Sequence, residues 1–133
     1  MAIRLNNSII NARLNAIRSA VDAGGGAARI VIYTGSIPAV AGGSTTAQPL
    51  ATLNMPYPSF NAPDNGSITA FDIPSVVAIG AGTAGWFRVL TATGDFVMDG
   101  TVGQVNADMI MPTTSFVAGI TVAVSSMVLT DGN

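Results

Sequence analysis

After Gly24-Gly25-Gly26 the sequence never again keeps a helical period; it breaks into short apolar runs of strand length, each closed by turn residues. ARIVIYT (28–34) is β-branched and stops at Gly35. LATLNM (50–55) sets Ala51, Leu53 and Met55 on one face and Thr52 and Asn54 on the other, the alternation of a half-buried strand. SITAFDI (67–73) and SVVAI (75–79) follow, on either side of Pro74. A hairpin with arms at 84–91 and 95–102, then DMIM (108–111) and ITVAVSSMVLT (120–130), bring the series to about eight strands. In the last run Ile120, Val122, Val124 and Val128 alternate against Thr121, Ala123, Ser125 and Met127. With no helices between the strands, the pattern predicts a mainly β fold, an antiparallel β-sandwich of jelly-roll type rather than a parallel sheet.

Between the strands lie SIPAVAGGSTTAQP, rich in small residues, and PYPSFNAPDNG, whose prolines and Asn-Gly pair mark loop and turn. The one helical stretch precedes the glycines. In SIINARLNAIRSAVDA (8–23), Ile10, Leu14, Ile17 and Val21 recur at helical spacing and form one stripe. Asn6, Asn7 or Ser8 can cap its start, and the triglycine ends it. Arg13 and Arg18 flank the stripe, where their stems can cover apolar neighbours while the guanidinium groups stay wet. The chain thus divides into a helical arm with a glycine joint (1–26) and a β-sandwich domain (27–133). The stripe suits packing on its own domain or docking on a partner equally well.

Composition narrows the chemistry. The 133 residues contain no histidine and no cysteine, and reading the letters shows that all five basic residues are arginine and all seven acids aspartate. The commonest general base, the commonest metal ligand and the thiol nucleophile are therefore missing. Asp95 and Asp99 are the tempting carboxylate pair, but four residues of strand would hold them about 13 Å apart. Glycosidase carboxylates stand about 5–9.5 Å apart. The simpler reading has Asp95 closing the hairpin turn and Asp99 marking the strand's end. Asp99-Gly100 and Asp131-Gly132-Asn133 each offer a single carboxylate where a calcium loop needs several. No glycine cluster leads into Lys-Ser or Lys-Thr as a phosphate loop requires. The expectation is a non-enzyme with no catalytic, metal or cofactor-binding residues and no cofactor.

Charge is lower still. Charged residues make up 9% of the chain and the net charge is −2, against about 25% charged in an average soluble domain. Without a basic cluster a nucleic-acid partner is not expected. No apolar run approaches the roughly 20 residues of a membrane span, and MAIRLNNS does not read as a secretory signal, so the chain is expected to fold in the cytoplasm where it is made. Cores of protein interfaces are depleted in charge in the same way, so part of this surface is expected to be covered by other subunits.

The hairpin GTAGWFRVLTATGDFVMDGTVG (82–103) carries the only tryptophan. Phe87 and Val89 share one face and are the easier pair to bury; Trp86 and Arg88 share the other. Trp86 either plugs the core with its indole N–H bonded locally, or stands with Arg88 as an exposed aromatic–cation pair of the kind that anchors interfaces. The candidate interface residues are accordingly Ile10, Arg13, Leu14, Ile17, Arg18, Val21, Trp86 and Arg88.

These segments carry a resemblance that spans nearly the whole chain. INARLNAIRSAV, then RIVIYTG, then the Leu/Met strand, GTAGWFRVL, GDFVMDGTVG, DMIM with TTSFVAG, and TVAVSSMVLTDGN together resemble small virion proteins of tailed bacteriophages and prophages. The member role this implies first is a capsid cement, or decoration, protein similar to the β-sandwich cement proteins of short-tailed phages. The resemblance implies a structural protein on the capsid surface, made in the bacterial host cytoplasm. It would bind seams between major capsid subunits and associate with itself as a homodimer or homotrimer. A tail, neck or fibre-base component would serve the same composition. A carbohydrate-binding β-sandwich fits less well, because Trp86, Tyr33 and Tyr57 are scattered among segments.

Overall fold

The computed structural model describes residues 3–130; Asp131-Gly132-Asn133 lies outside them. The fold is mainly β, with one N-terminal helix, as expected. Helix α1 (Asn7–Val21) begins where Asn6 turns its Oδ1 back to accept a hydrogen bond from the Ser8 N–H at 2.8 Å. That satisfies one of the orphan donors of the first turn. A 3₁₀ turn, Asp22–Gly24, tightens the helix end before Gly25 leaves it in the left-handed region.

Ten strands follow among the described residues: β1 (Arg29–Thr34), β2 (Pro49–Asn54), β3 (Ser67–Thr69), β4 (Val76–Val77), β5 (Gly82–Leu90), β6 (Phe96–Gly103), β7 (Met109–Ile110), β8 (Ser115–Phe116), β9 (Thr121–Val122) and β10 (Ser126–Thr130). Eight of them form one sheet in the order β2-β1-β5-β6-β7-β10-β3, with β8 attached to β5; β4 and β9 make a separate two-stranded ribbon. The centre is the antiparallel set β2-β1-β5-β6, where Ala51, Ile32 and Phe87 line up on one face with Gly100, and Leu53, Ile30 and Val89 with Met98.

The β5–β6 hairpin falls where TATGD predicts it. The Thr91 hydroxyl accepts from the Asp95 N–H at 3.1 Å and the Thr91 N–H donates to the Asp95 carbonyl at 2.8 Å. The Asn65-Gly66 pair makes a second turn, with φ of +50° and +76° and reciprocal backbone bonds between Asp64 and Ser67, the geometry in which Asn-Gly is favoured.

Three expectations need correction. The pairing is not wholly antiparallel: β6 and β7 run parallel, with Val102 opposite Met109. Thr101 and Asp108 enforce this return by capping each other, Thr101 N–H to Asp108 Oδ2 at 3.0 Å and Asp108 N–H to Thr101 Oγ1 at 3.2 Å. The run 120–130 is two strands rather than one. The interruption at 123–125 shifts the alternation by one residue, so Met127 is buried against Met109 while Val128 faces outward. Asp99 lies inside β6 and not at its end.

The core is one cluster to which helix and sheet both contribute. Ile10, Leu14 and Val21 of α1 are buried with Ile30, Leu53, Ile68, Phe87 and Met109, and Ile17 packs half-buried against them. Two polar ties fix the helix further: Asn11 Oδ1 accepts from the Gly66 N–H at 3.3 Å, and the Asp22 carboxylate accepts from the Ser59 N–H at 3.2 Å.

Candidate interaction surface

The outward face of the central sheet is where the sequence placed its chemically richest pair. Register sets Trp86 between Tyr33 and Thr101, and Arg88 between Val31 and Asp99, on the side opposite Phe87 and Val89. Tyr33 and Trp86 stack with ring centroids 4.4 Å apart and planes 17° from parallel. The Arg88 guanidinium carbon sits 5.2 Å from the Trp86 centroid and 5.2 Å from that of Phe96. Four side chains from three adjacent strands thus form a continuous row, Tyr33–Trp86–Arg88–Phe96.

Asp99 fixes the cation in that row. Arg88 Nε donates to Oδ1 at 2.7 Å and Nη2 to Oδ2 at 3.0 Å, the two-pronged geometry that a planar guanidinium offers a carboxylate. The side chains are 13% and 3% exposed. The hydrogen bond to Asp99 raises the Arg88 pKa above its ordinary value; partial burial opposes the rise, and the Asp99 charge and then Tyr33 add to it. Above the row runs the segment 36–48, which forms no helix or strand. Gly42 N–H donates to Asp99 Oδ2 at 3.1 Å, and Arg88 Nη2 donates to the Gly43 carbonyl at 2.9 Å.

This arrangement decides between the two expectations for Trp86 in favour of the buried one, with its indole N–H bonded locally. The ring is 0% exposed and its Nε1 donates to the Thr34 carbonyl at 3.1 Å, so it is no surface anchor. It lies on the sheet face opposite the cluster that Phe87 and Val89 join with the helix. On that face it stacks on Tyr33 and packs against Arg88, whose guanidinium bonds the segment 36–48. Only the small, uncharged composition of SIPAVAGGSTTAQP hinted that this loop would lie flat on the sheet.

The helical candidates also turn inward. Ile10, Leu14 and Val21 are covered by the protein's own core. Arg18 donates to Asn15 Oδ1 and reaches the Phe60 carbonyl at 3.4 Å. Arg13 is exposed and, with Asp108, contributes to a cleft of about 420 Å³ between α1 and the sheet, walled by Leu14, Ile17, Met98 and Leu129. Asp95 stays in its turn while Asp99 is committed to Arg88. Among the described residues no group of three or more acidic side chains converges as a metal site, and no helix is long and apolar enough to cross a membrane.

What the surface does present is apolar. Val77 on β4 and Ile79 just beyond it are exposed, and Val117 is exposed in the turn whose Gly119 N–H donates to the Ala78 carbonyl at 2.9 Å. Ile37 and Val40 are exposed on the covering segment, Val40 at 70%, and Val105 on the loop after β6. None of these was singled out from sequence, because an apolar residue in a strand or loop carries no mark of which way it points. Comparison with known proteins returned no matching family model, no matching curated protein and no matching solved structure.

Proposed function

We propose that this chain is a structural virion protein of a tailed bacteriophage, a cement or decoration protein that binds seams between major capsid subunits and stabilises the assembled head. The observation that carries the reading is the surface: outward-facing Val40, Val77, Ile79, Val105 and Val117 on a chain with 9% charged residues. Exposed apolar side chains in a charge-poor setting suit contact with another protein more than free solution. The resemblance in sequence pattern to cement proteins points the same way. On this reading the contact residues are the exposed valines and isoleucines, not the helix stripe or Trp86, which the fold uses internally. Each seated copy would reinforce the shell by mass action, because it binds the lattice and not the free subunit.

The test is stoichiometry in purified particles of a phage that encodes the chain. A simple whole-number ratio to the major capsid protein is the expected result, with loss of the protein lowering the temperature at which heads break open. A few copies per particle would move it to the tail, neck or fibre base, and absence from the particle would end the virion reading.

A further inference from the structure

The segment 36–48 is attached to the sheet in an uneven way. It contains no charged residue and no strand or helix. At its base the Thr34 N–H reaches the Gln48 carbonyl at 3.4 Å. At its centre the turn Val40–Gly43, closed by Gly43 N–H to the Val40 carbonyl at 2.9 Å, is held by Asp99 and Arg88, one bond to each side of the ion pair. Gly42 has φ of +73°, which strains any other residue, and a Cβ there would lie 3.1 Å from the Phe96 ring, so the turn packs closely on that end of the row. The row beneath owes its order to sheet register, Tyr33 opposite Trp86 and Arg88 opposite Asp99, and does not depend on the cover.

A buried ion pair gives little net stability over apolar side chains of similar volume, because desolvating both charges offsets their attraction. Here each partner also makes one hydrogen bond to the backbone of the covering turn. Lifting the turn lets water solvate the same charges, which offsets much of what is lost. The cover is therefore cheaper to detach than the central strands β1 and β5, which are paired along both edges.

We propose that residues 36–48 are a latched strap that opens as a unit, with Arg88–Asp99 as the catch, and that opening extends the exposed Phe96 end of the row inward to Arg88 and Trp86. The proposal does not depend on the virion reading. Gly35, with φ of +84°, and Pro49 bound the moving segment. In the closed form Trp86 is wholly buried and Phe96 is 41% exposed; in the open form the row is an aromatic strip beside a fixed cation.

Amide hydrogen exchange and acrylamide quenching of the sole tryptophan, both on the full chain, test this directly. In the wild type the Gly42 and Gly43 amides should exchange at least about a hundredfold more readily than those of β1 and β5. Asp99→Asn should speed them by a further tenfold or so and make Trp86 more quenchable, with β5 exchange unchanged. The uncharged pair Arg88→Met with Asp99→Leu should loosen the strap equally. Strap amides that exchange in the wild type only with the core strands would overturn the proposal, whether or not either variant folds. So would folded variants whose strap amides and Trp86 quenching match the wild type.

Discussion

Trp86 offers the sharpest check on the two-layered sheet. Truncating it to alanine removes a fully buried ring, its hydrogen bond to the Thr34 carbonyl, its stack on Tyr33 and the surface beneath Arg88. A buried tryptophan hides about 150–250 Å², which at about 25 cal/mol per Å² is roughly 4–6 kcal/mol as an upper bound. Stacking adds about 0.5–1.5 kcal/mol, and the unpaired carbonyl about 1–3 kcal/mol more where water cannot reach it. These terms do not sum in full. The segment 36–48 has no ladder holding it and can settle into the space, which shrinks the cavity. The expected cost of Trp86→Ala is about 4 kcal/mol, within the range of large-to-small aromatic changes. Trp86→Phe keeps a ring for Tyr33 and Arg88 but loses the N–H, and should cost about 1–2 kcal/mol. Urea unfolding followed by far-UV circular dichroism measures both, since the fluorescent probe is itself removed; equal slopes would let the midpoints be compared as stabilities. A loss below about 1 kcal/mol for alanine would mean that the outer layer contributes nothing and the reasoning fails.

Two further predictions follow from the fold. Leu14→Ala should destabilise the whole chain by about 2–4 kcal/mol, whereas Ile9→Ala, half exposed on the same helix, should change stability by no more than about 0.5 kcal/mol; thermal unfolding of the two variants distinguishes a core helix from a docking arm. Gly85→Ala places a Cβ 1.9 Å from the Gly35 carbonyl oxygen, a backbone atom that cannot rotate away, so β1 and β5 must separate locally. A Tm fall of many degrees is expected in calorimetry, and an unchanged Tm would show that the bulge between Tyr33/Thr34 and Ala84/Trp86 relaxes freely.

How much of this was legible in the sequence depends on what each residue's signal is tied to. The helix stripe, the Ala51/Leu53/Met55 face and the Phe87/Val89 face were readable because alternation and helical period are set by backbone geometry alone. The TATGD and Asn-Gly turns were readable because few other residues tolerate those angles. The slip in 120–130 was not, since Val, Met and Leu are interchangeable as apolar letters, and the interruption at 123–125 carries no proline or glycine. The parallel β6–β7 pair was hidden because it rests on Thr101 and Asp108, seven residues apart, whose caps make sense only after the chain has turned. Asp99 was misread for a related reason: its partner, Arg88, is cross-strand, and a sequence shows strand neighbours only when the register is already known.

The same register explains why the exposed candidates changed place. A chain with twelve charged residues, five basic and seven acidic, has few means of marking a surface, and it commits Arg88 and Asp99 to holding a loop down and Arg18 to the Asn15 and Phe60 contacts. Each charge so used is withdrawn from the solvent-facing side. The apolar residues left outside, on the β4–β9 ribbon and on the strap, are consequently less diluted by charge than composition alone would give. A binding surface built in this way owes its selectivity to shape and fixed loop position, because it has little charge with which to discriminate. That places the demand for precision on the elements that hold the loops, and the partly buried Arg88–Asp99 pair, directional in its hydrogen bonds, sets the position of the turn at Val40–Gly43 whenever the strap is closed, where an apolar pair would leave that closed position undefined.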